Sequence, residues 1–117
     1  MEAMILSGGR GTRLRPITDS IPKPLIPLNN TPLISWSIKY LKKYGITDII
    51  LCNGYKSKQI ERYLKSKNNF GCKIQYSIEK TPLGTAGAIK KAMKMISGES
   101  FIVINGDVIT NLNLKKI

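Results

Sequence analysis

The 117-residue sequence predicts an α/β protein in which a mainly parallel, doubly wound sheet carries helices on both faces. Two observations lead to this prediction. Short apolar segments of strand length alternate with segments whose apolar residues recur at helical spacing. The two kinds of segment follow one another along the whole chain, an order typical of βαβ units and therefore of parallel strands.

The first half of the chain contains two predicted strands and one predicted helix. Ala3–Ser7 is a short apolar run that ends at glycines, which is typical of a strand. Prolines at positions 16, 22, 24 and 27 then exclude a helix or a central strand. Thr31 is the predicted N-cap of the first helix, with Pro32 in its first turn and Gly45 after its end. Asp48–Asn53 is the second predicted strand, buried on both faces.

The second half repeats this alternation. Ser57 is the predicted cap of the second helix, and Lys73–Glu79 alternates polar and apolar residues as the third strand. Thr85 is the predicted cap of the third helix, and the continuous apolar run Phe101–Asn105 is the fourth strand. The residues predicted to face inward from the third helix are Ala86, Ile89, Ala92, Met93 and Ile96.

Right-handed crossovers limit these strands to a Rossmann-like sheet with the spatial order 3-2-1-4. In such sheets ligands bind beyond the carboxyl ends of the strands, next to the switch point between the first and fourth strands. The glycine segment (Gly8–Arg15) follows the first strand, and Asp107 follows the fourth. The sequence therefore predicts a ligand site between these two strand ends.

The glycine segment combines three glycines with three of the four arginines in the chain. Glycines let the backbone N–H groups approach a ligand closely, and arginines add charge, so the segment favours binding of a polyphosphate. Spacing excludes a P-loop, because Arg13 stands where that loop needs its second glycine. A dinucleotide fingerprint is disfavoured too, because Leu14 occupies its third glycine position and Asn53 closes the second strand.

Composition limits the remaining function classes. The formal net charge of +12 fits solvated helix faces rich in lysine, or an attraction for phosphates, nucleic acid or a membrane surface. No aromatic ladder supports a nucleic-acid partner, and no apolar run has the length of a membrane span. The absence of histidine excludes histidine catalysis and ligation. Cys52 and Cys72 fit neither a zinc nor a disulfide framework, so we expect reduced thiols and a cytoplasmic protein.

A longer pattern carries a resemblance to a known family. Gly8-Gly9-x-Gly11-Thr12-Arg13-Leu14-x-Pro16-x-Thr18, followed by Pro22-Lys23-Pro24, resembles the signature of the sugar-1-phosphate nucleotidyltransferases, also called NDP-sugar pyrophosphorylases. Agreement continues at Asn53-Gly54-Tyr55, at Pro82–Ala88 and at Asn105-Gly106-Asp107. The chain is most similar to the mannose-1-phosphate guanylyltransferase branch. The resemblance covers the nucleotide-binding half of the family's catalytic domain, so we expect residues 1–117 to form a single nucleotide-binding domain truncated after the fourth strand.

The resemblance implies transfer of a nucleoside monophosphate from an NTP to a sugar-1-phosphate, with release of pyrophosphate. It implies that Arg13 stabilises the leaving pyrophosphate, that Lys23 balances charge at the α-phosphate or on the incoming phosphate, and that Asp107 binds Mg²⁺. These three are the expected catalytic residues, with Asp107 the metal ligand. The residues expected to bind the nucleotide are Leu6, Gly8, Gly9, Arg10, Gly11, Thr12, Glu79, Pro82, Gly84 and Thr85.

Glu79 bears on the choice of base. A carboxylate accepts hydrogen bonds from both N1–H and N2–H₂ of guanine, whereas it repels the acceptors of uracil and thymine. Family members that use pyrimidine nucleotides tend to carry Gln there, so Glu79 favours GTP, with mannose-1-phosphate as the acceptor that the resemblance implies.

Two alternatives remain open from the sequence. One is a superfamily member that uses UTP or dTTP with another phosphorylated acceptor. The other is a non-catalytic nucleotide-binding or interaction module, because a sheet cut after its fourth strand exposes an apolar face. We expect a second copy of the chain or a complementary chain to cover such a face.

Overall fold

The computed structural model describes residues 1–7, 20–81 and 83–106. The strands are β1 (Glu2–Leu6), β2 (Pro27–Leu28), β3 (Thr31–Pro32), β4 (Asp48–Asn53), β5 (Lys73–Ile78) and β6 (Phe101–Asn105). The helices are α1 (Leu33–Lys43), α2 (Ser57–Ser66) and α3 (Gly84–Ala92), and short 3₁₀ turns span Lys23–Leu25, Asn68–Gly71 and Met93–Met95.

The main sheet has the order β5-β4-β1-β6, and each neighbouring pair of strands is parallel. This is the predicted order, since β4, β5 and β6 are the second, third and fourth predicted strands. β2 and β3 form a separate antiparallel ribbon. The predicted fold class and topology are therefore confirmed.

The central strands β1 and β4 bury both of their faces. On one face, Ala3 and Ile5 of β1 and Ile49 and Leu51 of β4 pack with apolar residues of α1 and α2. On the other face, the alternate residues of the same strands pack with α3. The buried members of that second cluster are Met4, Ile50, Cys52, Ala88 and Ala92. The sheet thus carries helices on both sides, which explains why its two central strands read as continuous apolar runs.

The three predicted helix caps are wrong. Thr31 pairs with Leu28 in the ribbon, and Pro32 takes the cap position of α1 without a side-chain hydrogen bond. Ser57 is the first residue of α2 and follows Lys56, which has a left-handed backbone with φ of 53°. Thr85 lies one residue inside α3. A hydroxyl caps a helix only from the residue just before it, and here that position belongs to other residues.

The predicted inner face of the third helix is partly wrong. Ala86 is exposed, whereas Ala88 is buried with Ala92. Met93, also predicted to face inward, is 51% exposed. The α-helix ends at Ala92 and continues as a 3₁₀ turn, and this tighter winding rotates Met93 away from the sheet.

Strand β6 forms one edge of the sheet. Val103 is 36% exposed, and its neighbours Ile102 and Ile104 are half-buried against the core. Within the described ranges, no strand pairs with the outer side of β6. None of the helices in these ranges is long and apolar enough to cross a membrane.

Glu2 fastens the start of β1 to the turn that precedes β6. Its carboxylate accepts the N–H groups of Ser97 and Gly98, both at 2.9 Å, and the Ser97 hydroxyl at 3.0 Å. The Gly98 and Ser97 hydrogen bonds lower the pKa of Glu2 below its ordinary value of 4.5. The ionised carboxylate is therefore favoured in the folded chain.

Glu2→Gln is expected to lower the free energy of unfolding at neutral pH and to matter less in acid. Because the folded pKa is depressed, the stabilisation is complete above about pH 4.5 and is lost as the pH falls through the folded pKa. Urea unfolding of both proteins at several pH values measures the difference. Glu99→Gln, which removes an exposed carboxylate nearby, controls for net charge. A stability difference that does not change with pH would contradict the capping role.

Candidate functional site

The carboxyl ends of the four main strands are joined beyond the strands themselves. Three backbone N–H groups donate to carbonyls across this edge, which continues the parallel pairing by one residue at each step. The bonds run from Ser7 to Cys52 at 3.0 Å, from Glu79 to Asn53 at 2.7 Å and from Gly106 to Leu6 at 3.0 Å. The segments that leave the sheet after Ser7, Glu79 and Gly106 therefore start from fixed positions on one edge.

Gly106 allows a close approach between β6 and β1. A Cβ placed on Gly106 would lie 3.1 Å from Ile5 Cγ2 and 3.3 Å from the Leu6 carbonyl oxygen, closer than ordinary side-chain packing allows. Glycine thus lets β6 end this near to β1, and any larger residue would have to displace its neighbours by a few tenths of an ångström. Asp107, the expected metal ligand, is the next residue in the chain and lies outside the described residues.

Glu79 is half-buried at the end of β5, and the peptide unit before it is held at both polar atoms. Its N–H donates to the Asn53 carbonyl, and the Ile78 carbonyl accepts from the Lys91 ammonium of α3. Burial, and then the charge of the Glu79 carboxylate, raise the pKa of the Cys52 thiol to about 11. Cys52, which packs on the α3 side of the sheet, therefore stays a neutral thiol at pH 7.

The start of α3 uses glycine for two different reasons. Gly84 has a φ of +71°, a backbone conformation that residues with a side chain disfavour, and an added Cβ would meet no atom of the described residues within 4 Å. Gly87 is a packing requirement, since its Cβ would lie 2.9 Å from the Leu83 Cβ. Gly84 and Thr85 are both exposed. In the described part of the chain, the first turn of α3 is therefore not covered by other residues at Gly84 and Thr85.

Lys23 lies on a turn that is fixed from both sides. Pro22 and Pro24 are buried, and Leu25 packs against the α1 and α2 side of the core. The Leu25 and Ile26 N–H groups donate to the carbonyls of Pro22 and Lys23, each at 3.0 Å. The two prolines hold the Lys23 backbone in place, whereas its side chain is only half-buried.

The structure describes five of the residues predicted for the site. Leu6 and Glu79 lie at the same edge of the sheet, Gly84 and Thr85 follow at the start of α3, and Lys23 lies on its separate turn. The other predicted residues, Gly8, Gly9, Arg10, Gly11, Thr12, Arg13, Pro82 and Asp107, lie outside the described residues. In the described part of the chain, no group of three His, Cys, Asp or Glu residues could hold a metal ion.

Sequence reasoning missed one polar pair at this edge. The Ser7 hydroxyl donates to Asn53 Oδ1 in addition to contacting the Cys52 carbonyl at 3.3 Å. Asn53 is fully buried at the end of β4. The sequence did contain a signal, because Ser7 and Asn53 are polar residues that each end an apolar run. Only the register that pairs Leu6 with Cys52 shows that the two side chains meet.

The strand order, the helices on both faces and the joined ends of β1 and β6 define a doubly wound α/β protein of the Rossmann-like class. A family model described as nucleotidyl transferase matches residues 2–117. The chain belongs to this nucleotidyltransferase family, and the resemblance found in the sequence is confirmed.

Individual relatives agree with this membership. The chain is 47% identical over 117 residues to the D-glycero-alpha-D-manno-heptose 1-phosphate guanylyltransferase of Campylobacter jejuni, matching 100% of this chain and 52% of that protein. It is 43% identical over 114 residues to the N-acetylmuramate alpha-1-phosphate uridylyltransferase of Neisseria meningitidis, matching 97% of this chain and 49% of the relative. The chain therefore spans about half the length of the curated relatives it matches.

A solved structure also matches this chain with about half of its own length. HddC from Yersinia pseudotuberculosis, complexed with GMP-PN, superposes with a TM-score of 0.86 at 41% identity. The match covers 98% of this chain and 51% of that one. The two chains therefore share one fold over the matched region.

Proposed function

We propose that this chain provides the nucleotide-binding half of a sugar-1-phosphate guanylyltransferase, which transfers GMP from GTP to a sugar-1-phosphate and releases pyrophosphate. The observation that carries the proposal is the shared edge of the sheet, where the glycine segment, Glu79 and Asp107 each follow a fixed strand end. We propose mannose-1-phosphate as the acceptor, and the manno-heptose relative supports a manno-configured sugar. Two buried free thiols are consistent with a cytoplasmic protein.

The chemistry suits a chain without histidine. An oxygen of the sugar phosphate attacks the α-phosphorus, and the bond from that phosphorus to the bridging oxygen of the leaving pyrophosphate breaks. The attacking oxygen is already an anion, so no protein base is needed, and the protein acts by positioning and by charge stabilisation. We assign the backbone N–H groups of Gly9, Arg10 and Gly11 to the β- and γ-phosphates, and Arg13 to the charge that grows on the pyrophosphate.

Lys23 and Asp107 complete this assignment. The buried prolines beside Lys23 fix its backbone, so its ammonium reaches a phosphate with little loss of main-chain freedom. Asp107 follows Gly106, which is packed tightly against β1, and a carboxylate is a ligand that Mg²⁺ prefers. When bound, Mg²⁺ neutralises charge on the triphosphate oxygens.

We assign the guanine base to Glu79. Its backbone is held by hydrogen bonds on both sides, so the side chain starts from a fixed position at the strand end, and guanine offers its carboxylate two adjacent N–H donors. In this assignment, the other sides of the base-binding site are the backbone of Gly84 and Thr85 and the end of β1 at Leu6. Because one relative is a uridylyltransferase, UTP is the competing nucleotide that an experiment has to compare with GTP.

A non-catalytic interaction module is the second candidate. The observation that favours it is the apolar edge at β6, where Val103 is exposed within the described ranges. In this reading the chain binds nucleotide weakly, and a second copy or a complementary chain covers β6. A concentration-dependent increase in sedimentation coefficient, with no turnover of GTP and mannose-1-phosphate, would favour this candidate.

Calorimetric titration with GTP, ATP, CTP, UTP and dTTP, with and without Mg²⁺, tests the main proposal. We expect the tightest binding for GTP and an enhancement by Mg²⁺. Asp107→Asn is expected to remove the Mg²⁺ enhancement, because a neutral amide is a poorer Mg²⁺ ligand than a carboxylate. Asp48→Asn is the matched control, since Asp48 is exposed at the opposite end of β4. Tighter binding of UTP or dTTP would overturn the guanine assignment, and an unchanged Mg²⁺ effect in Asp107→Asn would overturn the metal assignment.

A further inference from the structure

Asn53 is a polar residue in the most buried of the described strands. It ends β4, whose preceding residues Ile49–Cys52 are all buried and apolar, and its own side chain is fully buried. An apolar residue would fill such a position without the cost of removing an amide from water. Packing alone therefore does not explain an asparagine here.

The contacts of Asn53 reach both neighbouring strands. Its side-chain oxygen Oδ1 accepts the hydroxyl of Ser7, the residue directly before the glycine segment. Its backbone carbonyl accepts the N–H of Glu79 at 2.7 Å. The residue thus lies between the two parts of the candidate site, with the phosphate side on one strand and the base side on the other.

The amide nitrogen of Asn53 gives a second, independent observation. Nδ2 is buried and has no hydrogen-bond partner among the described residues. A buried amide with unused donors is costly unless the group is needed where it stands. The place of this amide, at the edge that leads into the glycine segment, indicates a role at this site.

We propose that Asn53 is a positioning residue that fixes Ser7, and through it the start of the glycine segment, relative to the strand end that carries Glu79. The proposal rests on the proposed function for its consequence in nucleotide binding, although the coupling of Asn53 to Ser7 does not depend on it. A fixed separation between phosphate contacts and base contacts lets one nucleotide satisfy both without ordering the protein on binding, which is the advantage of a preorganised site.

The experiment is a double-mutant cycle on Ser7 and Asn53, with Ser7→Ala, Asn53→Ala and the double variant. Ser7→Thr keeps the hydroxyl and is the conservative rescue. Ser37→Ala is the matched control, because Ser37 is also buried but its hydroxyl has no partner among the described residues of the chain. If Asn53→Ala fails to fold, the comparison of Ser7→Ala with Ser7→Thr and Ser37→Ala still decides the proposal.

The first measurement needs no nucleotide. Amide hydrogen exchange in a peptide covering residues 6–13 is expected to become faster in Ser7→Ala and Asn53→Ala, with no further change in the double variant. Ser7→Thr and Ser37→Ala are expected to exchange like the unmodified chain. Equal exchange in Ser7→Ala and the unmodified chain, or fully additive effects, would overturn the proposal.

The second measurement compares GTP with guanosine. Ser7→Ala is expected to weaken GTP binding by about 2- to 10-fold, the range for one lost hydrogen bond, and to leave guanosine binding nearly unchanged. A general loss of structure would weaken both ligands alike and would count against positioning. If the unmodified chain binds no GTP, the proposed function fails, whereas the exchange measurement still decides the coupling of Asn53 to Ser7.

Discussion

Glu79→Gln is expected to lower the affinity for GTP by about 1–3 kcal/mol and to raise the affinity for UTP. The carboxylate accepts both guanine donors, and removing one partner of a charge-assisted hydrogen bond costs this much. The carboxamide instead offers one acceptor and one donor, which match the N–H and the neighbouring carbonyl of uracil. The ratio of GTP to UTP affinity, measured by calorimetry, should fall by roughly 5- to 150-fold from the loss of GTP binding alone.

The position of Glu79 makes this test specific. Its backbone N–H is fixed by Asn53 and the preceding carbonyl is fixed by Lys91, so a change of side chain leaves the strand end in place. Glu99→Gln makes the same change of charge at the opposite end of the sheet, before β6. If Glu99→Gln lowers the selectivity as much as Glu79→Gln, the effect belongs to net charge and the assignment of Glu79 is wrong.

The sheet could be predicted because each strand has its own local sequence pattern, and one general rule then orders the strands. Continuous apolar runs at Asp48–Asn53 and Phe101–Asn105 mark strands, and the right-handed crossover then leaves few topologies. The helix caps could not be predicted in the same way. Thr31 has the side chain of a cap, but its pairing with Leu28 in the ribbon moves the start of α1 beyond it. Such a pairing is a tertiary event that a local pattern does not contain.

In the candidate site too, some positions follow from a local sequence pattern and others depend on tertiary contacts. Leu6 and Glu79 were placed correctly at the carboxyl edge, because each position follows from the end of a predicted strand. The contact between Ser7 and Asn53 depends on the register of β1 against β4. A shift of one residue would separate the two side chains. Register is set by packing of both helical layers on the sheet, so this pair could only be found in the structure.

Gly11→Val is expected to abolish GTP binding while leaving the thermal unfolding temperature nearly unchanged. The proposal assigns the backbone around Gly11 to the β- and γ-phosphates, and a branched side chain there would keep the phosphates at a distance. Gly98→Val is the matched control for the added side chain, since Gly98 is exposed at the opposite edge. Among the described residues, the nearest atom to an added Cβ is Glu2 Oε1 at 3.6 Å, an ordinary contact distance. Calorimetry with GTP and differential scanning fluorimetry of each variant measure the two quantities.

Arg13→Ala separates the role of the phosphates from that of the base. Removing the guanidinium should weaken GTP binding strongly and guanosine binding little, because only the triphosphate carries the charge that Arg13 is proposed to stabilise. Arg62→Ala, on α2, removes the same side chain from a position outside the proposed site. Unchanged GTP affinity in both Gly11→Val and Arg13→Ala would show that the glycine segment does not hold phosphates. Equal losses for GTP and guanosine in Arg13→Ala would instead indicate that the arginine contacts the base or supports the fold. Guanosine has no phosphate, so the loss of a phosphate contact cannot weaken its binding.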